Sequence, residues 1–333
     1  MNVERIITHN DFDGVVSAAL CSAVYGCDRF VFTGPNAIAR AEISITMDDV
    51  VCDLPYPLEC GQWFDHHSGN REAVRLRGID PDAIPGLFDE QPSCARVILM
   101  FFTGRGESLA GHFEETVTEA DMIDSFNYRS VEEWREETPG KLVDMSIKAY
   151  SATPRDQTKF LDHLTGLVRD LPLPRALEDP VVAARLERYR EEERHMVEFI
   201  ERSVSYLPQD RDRELIVLDF TPHKRPPRVI RNLAYLVQPQ ALGVVTLNPL
   251  FRGGRKTTDF SVSMSLSMNM TGRDHGKDIG EIMRSLNIGD GHVGAAAGTV
   301  NCDSKDEMLR AKKRLLGEIW DAWRSMRPED SVE

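Results

Sequence analysis

Three short apolar runs of this chain each end in acids and imidazoles. Ile6-Ile7-Thr8 leads into His9, Asp11 and Asp13; Val50-Val51-Cys52 ends at Asp53; Trp63-Phe64 ends at Asp65, His66 and His67. Alternate residues of an extended turn point to one side, so His9, Asp11 and Asp13 share a face. Carboxylates mixed with imidazoles and free of thiolate suit hard-to-borderline divalent ions such as Mn²⁺ or Mg²⁺, with Fe²⁺, Co²⁺ or Zn²⁺ also accepted. So many carboxylates around one point repel unless cations neutralise them. Five or six ligands exceed the needs of one catalytic zinc with an open position, which points to two metals.

The clusters converge only if the runs are neighbouring parallel strands, since open α/β sheets bind ligands at the carboxyl ends of their strands. The surrounding pattern supports this. Short apolar runs alternate with helical periodicity, the signature of α/β layering. Strands are predicted at 3–8, 29–32, 49–52 and 62–64, and helices at 14–25, 93–102, 112–123 and 158–169. A Pro-containing stretch at 171–180 breaks the pattern, and 181–206 follows as one long charged helix. A second α/β pattern has strands at 214–220, 241–247 and 258–268, helices at 228–236, 277–286 and 306–324, and a glycine-rich turn before the last helix. The expected division is a parallel-sheet domain over 1–180 with helices on both faces, a helical linker over 181–212, and a smaller mixed α/β domain over 213–327. The tail RPEDSVE is expected to fray.

A length of 333 residues favours two domains. With 41% hydrophobic and 28% charged residues, collagen-like, mucin-like and wholly disordered readings are excluded. The 40 basic and 54 acidic residues give a net charge of −14. That deficit argues against a polycationic surface gripping long duplex DNA, but not against a small anion held by metal ions. Cys21, Cys27, Cys52, Cys60, Cys94 and Cys302 form no CxxC pair and are expected to be free buried thiols of a reducing compartment. The first residues lack signal-peptide character, and no apolar stretch reaches the roughly 18–20 residues that span a bilayer. A cytoplasmic protein without a membrane partner is expected; a homodimer is compatible with the sequence.

In order along the chain, THNDFDG (8–14), CDLP (52–55), FDHHSGN (64–70) and EADMIDSF (119–126) resemble the motifs of the DHH phosphoesterase superfamily. GDGHVGAAAGT (289–299) resembles the glycine-rich signature of the DHH-associated C-terminal domain, with Asp290 in place of a glycine. The resemblance implies that His9, Asp11 and Asp53 hold one Mn²⁺ and that Asp13, Asp53, His66 and Asp121 hold a second, with Asp53 bridging and Mg²⁺ or Co²⁺ as substitutes. Asp121 and Asp124 compete for the last place; Asp121 is preferred because it follows Ala120, as in the family's motif. Asp65 would fix an imidazole tautomer, and His67 would face the substrate phosphate as charge stabiliser or proton donor. Gly289, Gly291 and His292 would bind substrate through an anion-binding surface.

The function so implied is hydrolysis of short phosphoesters, nano-RNase or pAp-phosphatase-like, by attack of a metal-bridging hydroxide. Exopolyphosphatase-like activity, single-strand exonuclease activity and a non-catalytic nucleotide-binding regulator are the alternatives. A RecJ-type exonuclease needs an extended basic track. Gly289, Gly291 and Gly294 also satisfy GxGxxG, but the preceding segment is helical, which opposes a dinucleotide fold. PHKRPPR (222–228) is read equally as a surface turn or a phosphate contact. His112, His163, His195 and His275 lack company and are expected in ordinary polar roles.

Overall fold

The computed structural model describes residues 3–326. The tail RPEDSVE, expected to fray, lies outside the described residues. One compact unit holds the chain up to Asn127 together with Glu137–Glu191, and another holds Tyr128–Glu136 and the chain from Glu192 onward.

The first unit begins β1 (Arg5–His9), α1 (Phe12–Tyr25), β2 (Phe30–Thr33), α2 (Pro35–Ala39), β3 (Asp49–Cys52), β4 (Gln62–Asp65), α3 (Ser68–Leu76), β5 (Gly86–Phe88), α4 (Cys94–Gly104) and α5 (His112–Asp124). After α6 (Val131–Arg135), which belongs to the second unit, it adds α7 (Pro139–Lys148), α8 (Pro154–Asp170) and α9 (Leu173–Ala176). Its strands are all parallel, in the order β2-β1-β3-β4-β5. From β1 the chain moves to one side for β2 and then to the other for β3. The strand order therefore reverses between β1 and β3, where such sheets open a crevice.

Period-two alternation sends neighbouring residues to opposite faces. Ile6, Val50, Cys52 and Phe64 pack with Val15, Leu20, Ile98, Phe113 and Leu164 of the helices on one face. Ile7, Val51 and Trp63 pack with Ile38 of α2 and Val74 of α3 on the other. The parallel sheet is thus covered on both faces, as its near-continuous apolar strands require. Side chains of Asp11, Ser93, Thr138 and Thr153 cap the helices they precede.

The long helix α10 (Pro180–Ser203) starts in the first unit and ends in the second. The second unit continues β6 (Val204–Ser205), β7 (Leu215–Asp219), α11 (Ala234–Val237), β8 (Gly243–Arg252), β9 (Arg255–Leu266), α12 (Ile279–Ser285), β10 (Gly289–His292), β11 (Ala295–Val300) and α13 (Lys305–Ser325). Its mixed sheet runs β10-β11-β9-β8-β7-β6, with β7 and β8 parallel. Leu315, Ile319 and Trp323 of α13 pack on Phe260, Val262 and Met264 of β9. Tyr128 and Val131 join Met196, Ile200, Ile216 and Phe220, which is why the excursion through α6 belongs to this unit.

Two expectations change here. The helix expected over 228–236 is a 3₁₀ turn at Arg231–Leu233 and the single turn α11. The glycine-rich turn is the antiparallel hairpin β10–β11. Its strands approach so closely that a Cβ at Gly289 would sit 2.1 Å from the Ala297 carbonyl oxygen. All six cysteines are buried and free. No helix among the described residues is long and apolar enough to cross a membrane.

Gly14 lets α1 start directly against the end of β1. A Cβ there would lie 2.1 Å from the His9 carbonyl oxygen. Gly14→Ala is expected to cost about 1–3 kcal/mol of stability, the range for overpacking a tight site, read as a lower urea midpoint. An unchanged midpoint would show that the β1–α1 junction yields easily.

Candidate metal centre

The turn after β1 makes the first group. The Oδ1 atom of Asp11 accepts the Gly14 amide at 2.9 Å, starting α1, while Oδ2 meets Nδ1 of His9. Burial acts to raise the Asp11 carboxyl, but the His9 hydrogen bond and charge, the Gly14 amide and Lys148 hold it below the usual range. Two residues on, Asp13 sits buried within the first turn of α1 and accepts the Cys94 and Ala95 amides at 2.7 and 2.9 Å. Those amides open α4, so Asp13 lies at the positive end of a helix. Burial, with Asp124 and Asp11 nearby, nevertheless pushes its carboxyl well above the ordinary value.

Asp53 follows β3 with φ of +57°, in the left-handed region. Aspartate tolerates this conformation better than most residues, and it marks a position held by its surroundings. The Asp53 amide donates to the Phe64 carbonyl at 3.0 Å, tying it to β4. Its two oxygens face different partners. Oδ2 is 3.6 Å from Nδ1 of His9, and Oδ1 is 3.6 Å from Nε2 of His66 and 3.7 Å from Nδ1 of His67. Burial, together with Asp13, Asp11 and Asp124, pushes its carboxyl well above the carboxylate range.

After β4, three adjacent residues divide their tasks. His66 directs Nδ1 at the Gln91 carbonyl, 3.0 Å away. That contact makes Nδ1 the protonated nitrogen and leaves the Nε2 lone pair facing the acids. Nε2 lies 3.3 Å from Oδ2 of Asp124 and 4.0 Å from Oδ2 of Asp13. Asp65, fully buried, accepts Nδ1–H of His67 at 2.9 Å and the Asn70 side-chain amide at 2.6 Å. Asp65 thus fixes the tautomer of His67, while a backbone carbonyl fixes that of His66. The Asp65 hydrogen bond raises the His67 pKa, against the opposing effect of burial.

The last helix of the group contributes Asp124 rather than Asp121. Asp121 lies outside the cluster: it accepts the Ser93 hydroxyl at 2.6 Å and pairs with Arg96 at 2.7 Å. Asp124, three residues on at the end of α5, reaches His66 instead. Burial raises its carboxyl, with His66 acting in the opposite sense.

Ligand atoms therefore gather in three overlapping sets, His9–Asp11–Asp53, Asp13–His66–Asp124 and Asp53–His66–His67, each with its atoms within 4.8 Å of one another. Two buried atoms in them, Oδ1 of Asp53 and Nε2 of His66, have no hydrogen-bond partner. Buried polar atoms are nearly always paired, and an acceptor oxygen facing a lone-pair nitrogen is the arrangement a cation completes. The donor set, all carboxylate oxygen and imidazole nitrogen, fits hard-to-borderline divalent ions.

The remaining expected residues lie in the second unit. Gly289, Gly291 and His292 occupy β10, where His292 is exposed and its Nδ1 accepts the Gly294 amide at 3.2 Å. Sequence reasoning missed Gln91, Asn70 and the Cys94 and Ala95 amides. Three of these four act through backbone groups that every residue carries, so no residue type signals them.

No protein-family model and no curated protein matches the chain. Among solved structures it is similar to the pGpG-specific phosphodiesterase PggH from Vibrio cholerae, with 22% identity over 96% of this chain and 99% of that one, and a TM-score of 0.72. It is also similar to RecJ in complex with Mn²⁺ from Thermus thermophilus, with 15% identity and a TM-score of 0.51. That match covers 97% of this chain but 52% of the other, so the chain spans about half of that RecJ. At these identities the likeness is one of fold. The chain shares the fold of these two proteins.

The crowded carboxylates predict how metal and stability are linked. In the metal-free protein, Asp53→Asn removes one of several repelling charges and should raise the melting temperature by about 2–4 °C, the scale of 1 kcal/mol in a domain of this size. Wild-type protein should gain about 2.7 kcal/mol from Mn²⁺ at 100 times its Kd, and the variant should lose most of that gain. Thermal melts with and without Mn²⁺ decide; an equal Mn²⁺ shift in both proteins would remove Asp53 from the centre.

Proposed function

We propose that the chain is a metal-dependent phosphoesterase acting on short phosphoesters, such as dinucleotides, very short oligonucleotides or pAp-like nucleotides. The observation that carries this reading is the pair of unpartnered buried atoms, Asp53 Oδ1 and His66 Nε2, inside convergent acid and imidazole groups at a strand-order reversal. The likeness to a pGpG-specific phosphodiesterase over nearly the whole of both chains supports a short nucleotide substrate.

His9, Asp11 and Asp53 would hold one divalent cation, and Asp13, His66 and Asp124 a second, with the two Asp53 oxygens facing the two groups. Mn²⁺ is the proposed ion, with Mg²⁺ or Co²⁺ as substitutes. Cations held there supply Lewis acidity and neutralise charge on the phosphoryl oxygens. His67 is half exposed, and its Nδ1–H is committed to Asp65. Its Nε2 edge is therefore the one available to a substrate oxygen, to which a protonated His67 would donate. Asp65 acts through His67 as a positioning residue. Gly289, Gly291 and His292 would contact the nucleotide.

A Mn²⁺-dependent release assay on pGpG, pAp, two-to-five-nucleotide RNA, single-stranded DNA and polyphosphate tests the reading. Turnover is expected on the first three. Activity confined to polyphosphate or to long single strands would replace the substrate assignment, and absence of turnover with Mn²⁺ bound would favour a nucleotide-binding regulator.

Two neighbouring acids should behave differently in the same assay. Asp124→Ala is expected to lower kcat/KM at least about 100-fold, the upper range for outer partners of a metal site. Asp121→Asn should weaken the Arg96 and Ser93 contacts, at a cost of about 1–3 kcal/mol in stability, while turnover persists. The reverse pattern would restore Asp121 as the ligand.

A further inference from the structure

The second unit contains a cationic cavity that the metal centre does not use. Arg252, Lys256, Lys305 and Lys312 line a space of about 940 Å³ against two acids, Asp259 and Asp303. In a chain of net charge −14 this local excess is unusual. A neighbouring groove of about 600 Å³ shares Lys256 and adds His223, Lys224 and Arg225 from the PHKRPPR run, with no acid in its lining.

Some of these cations are already engaged. Arg252 pairs with Asp259 at 3.0 Å, and Asp259 also accepts the Cys302 amide at 3.0 Å. Lys312 is buried and bonded to Asp219 at 2.6 Å and to Thr221. Lys312 is thus the buried cation of the cavity, and Arg252 is an exposed one. Lys256 instead donates to the backbone carbonyls of Thr221 and His223, so its charge meets no paired acid. Lys224, Arg225 and Lys305 are exposed. Burial lowers the Lys256 pKa, and the like charges of Lys312 and Lys305 lower it further, with only Asp219 opposing. An anion bound at Lys256 would relieve that crowding.

The cavity also has an apolar side. Met308 is buried beneath it and Leu309, 49% exposed, stands at it beside Pro222. Its volume falls within the range of about 300–1,000 Å³ for small-molecule sites. The site is far from the His292 end of the β10–β11 hairpin. Lys256 and Ser265 are nine residues apart on β9, about 30 Å at the rise of a strand, and Ser265 pairs with Ala295 at the His292 end.

We propose that this cavity is a second, metal-independent binding site for a nucleotide carrying two or more phosphates. Its phosphates lie on Lys256 and run toward Lys224 and Arg225, and its base or ribose rests on Pro222, Met308 and Leu309. The inference rests on the second unit alone and does not depend on the activity of the metal centre.

Calorimetric titration of the full chain in EDTA tests it, with AMP, ADP, ATP, GTP and tripolyphosphate as probes. Saturable binding of ATP or GTP is expected, with affinity rising from AMP through ADP to ATP. Lys256→Ala and Lys224→Glu should each weaken ATP binding by about tenfold or more. Both side chains are exposed, and thermal melts confirm that the variants fold. Leu309→Ser should weaken ATP but leave tripolyphosphate unchanged, and Asp53→Asn should bind ATP as wild type does. Absence of saturable binding, or equal affinity in the lysine variants, overturns the site. Loss of binding in Asp53→Asn would move it to the metal centre. Tripolyphosphate binding as tightly as ATP, with no effect of Leu309→Ser, would leave only an anion patch and defeat the nucleotide assignment.

Discussion

Mutual repulsion among Asp11, Asp13, Asp53 and Asp124 is the constraint around which the first unit is arranged. Burial and like charge act together to raise Asp13 and Asp53 far above the carboxylate range. No sheet would gather such groups for stability alone, because buried unpaired charge is among the costliest features a fold can contain. The rest of the unit offsets it. The sheet is buried on both faces, α4 turns its first amides onto Asp13, and the start of α1 takes one oxygen of Asp11. These contacts fix Asp11 and Asp13 from the protein side, while Oδ1 of Asp53 stays without a hydrogen-bond partner.

The paired histidines show the same logic at smaller scale. Adjacent in sequence, they differ in exposure: the His66 side chain is 10% exposed and that of His67 is 51%. The Gln91 carbonyl holds Nδ1 of the first, and the Asp65 carboxylate holds Nδ1 of the second. The carbonyl turns Nε2 of His66 toward the acids, whereas the carboxylate behind His67 raises that imidazole's pKa. One imidazole is thereby suited to binding a metal and the other to holding a proton, and the difference comes from what stands behind each ring.

The ends of the parallel strands were legible in the sequence because apolar runs stop abruptly at acids and imidazoles. The run at 49–52 coincides with β3. The last acid of the cluster was harder. Ala120 draws attention to Asp121, but Arg96 and Ser93 of the neighbouring helix claim that carboxylate, and only the packing of α4 on α5 reveals it. Hairpin β10–β11 was illegible for a different reason. Gly289, Gly291, Ala295, Ala296, Ala297 and Gly298 carry almost no strand propensity, and they pair because small residues permit close backbone approach. The attachment of 128–136 to the second unit depends on Tyr128 and Val131 meeting residues more than 60 positions away, which no local pattern records.

Net charge is a poor guide to what such a protein binds, and the length scale of screening explains why. At physiological ionic strength the field of an exposed charge decays over about 8 Å. A ligand of one or two nucleotides answers to the groups that touch it, which at the two proposed sites would be cations held by acids in one unit and lysines in the other. A long strand must cross many such lengths of a chain in which acids outnumber bases by 54 to 40. Each additional phosphate beyond the local cations then meets repulsion and releases fewer counterions than on a basic track. The same arithmetic that disfavours a long polyanion leaves a short phosphoester untouched, and this is the physical ground for proposing small phosphorylated ligands at both sites.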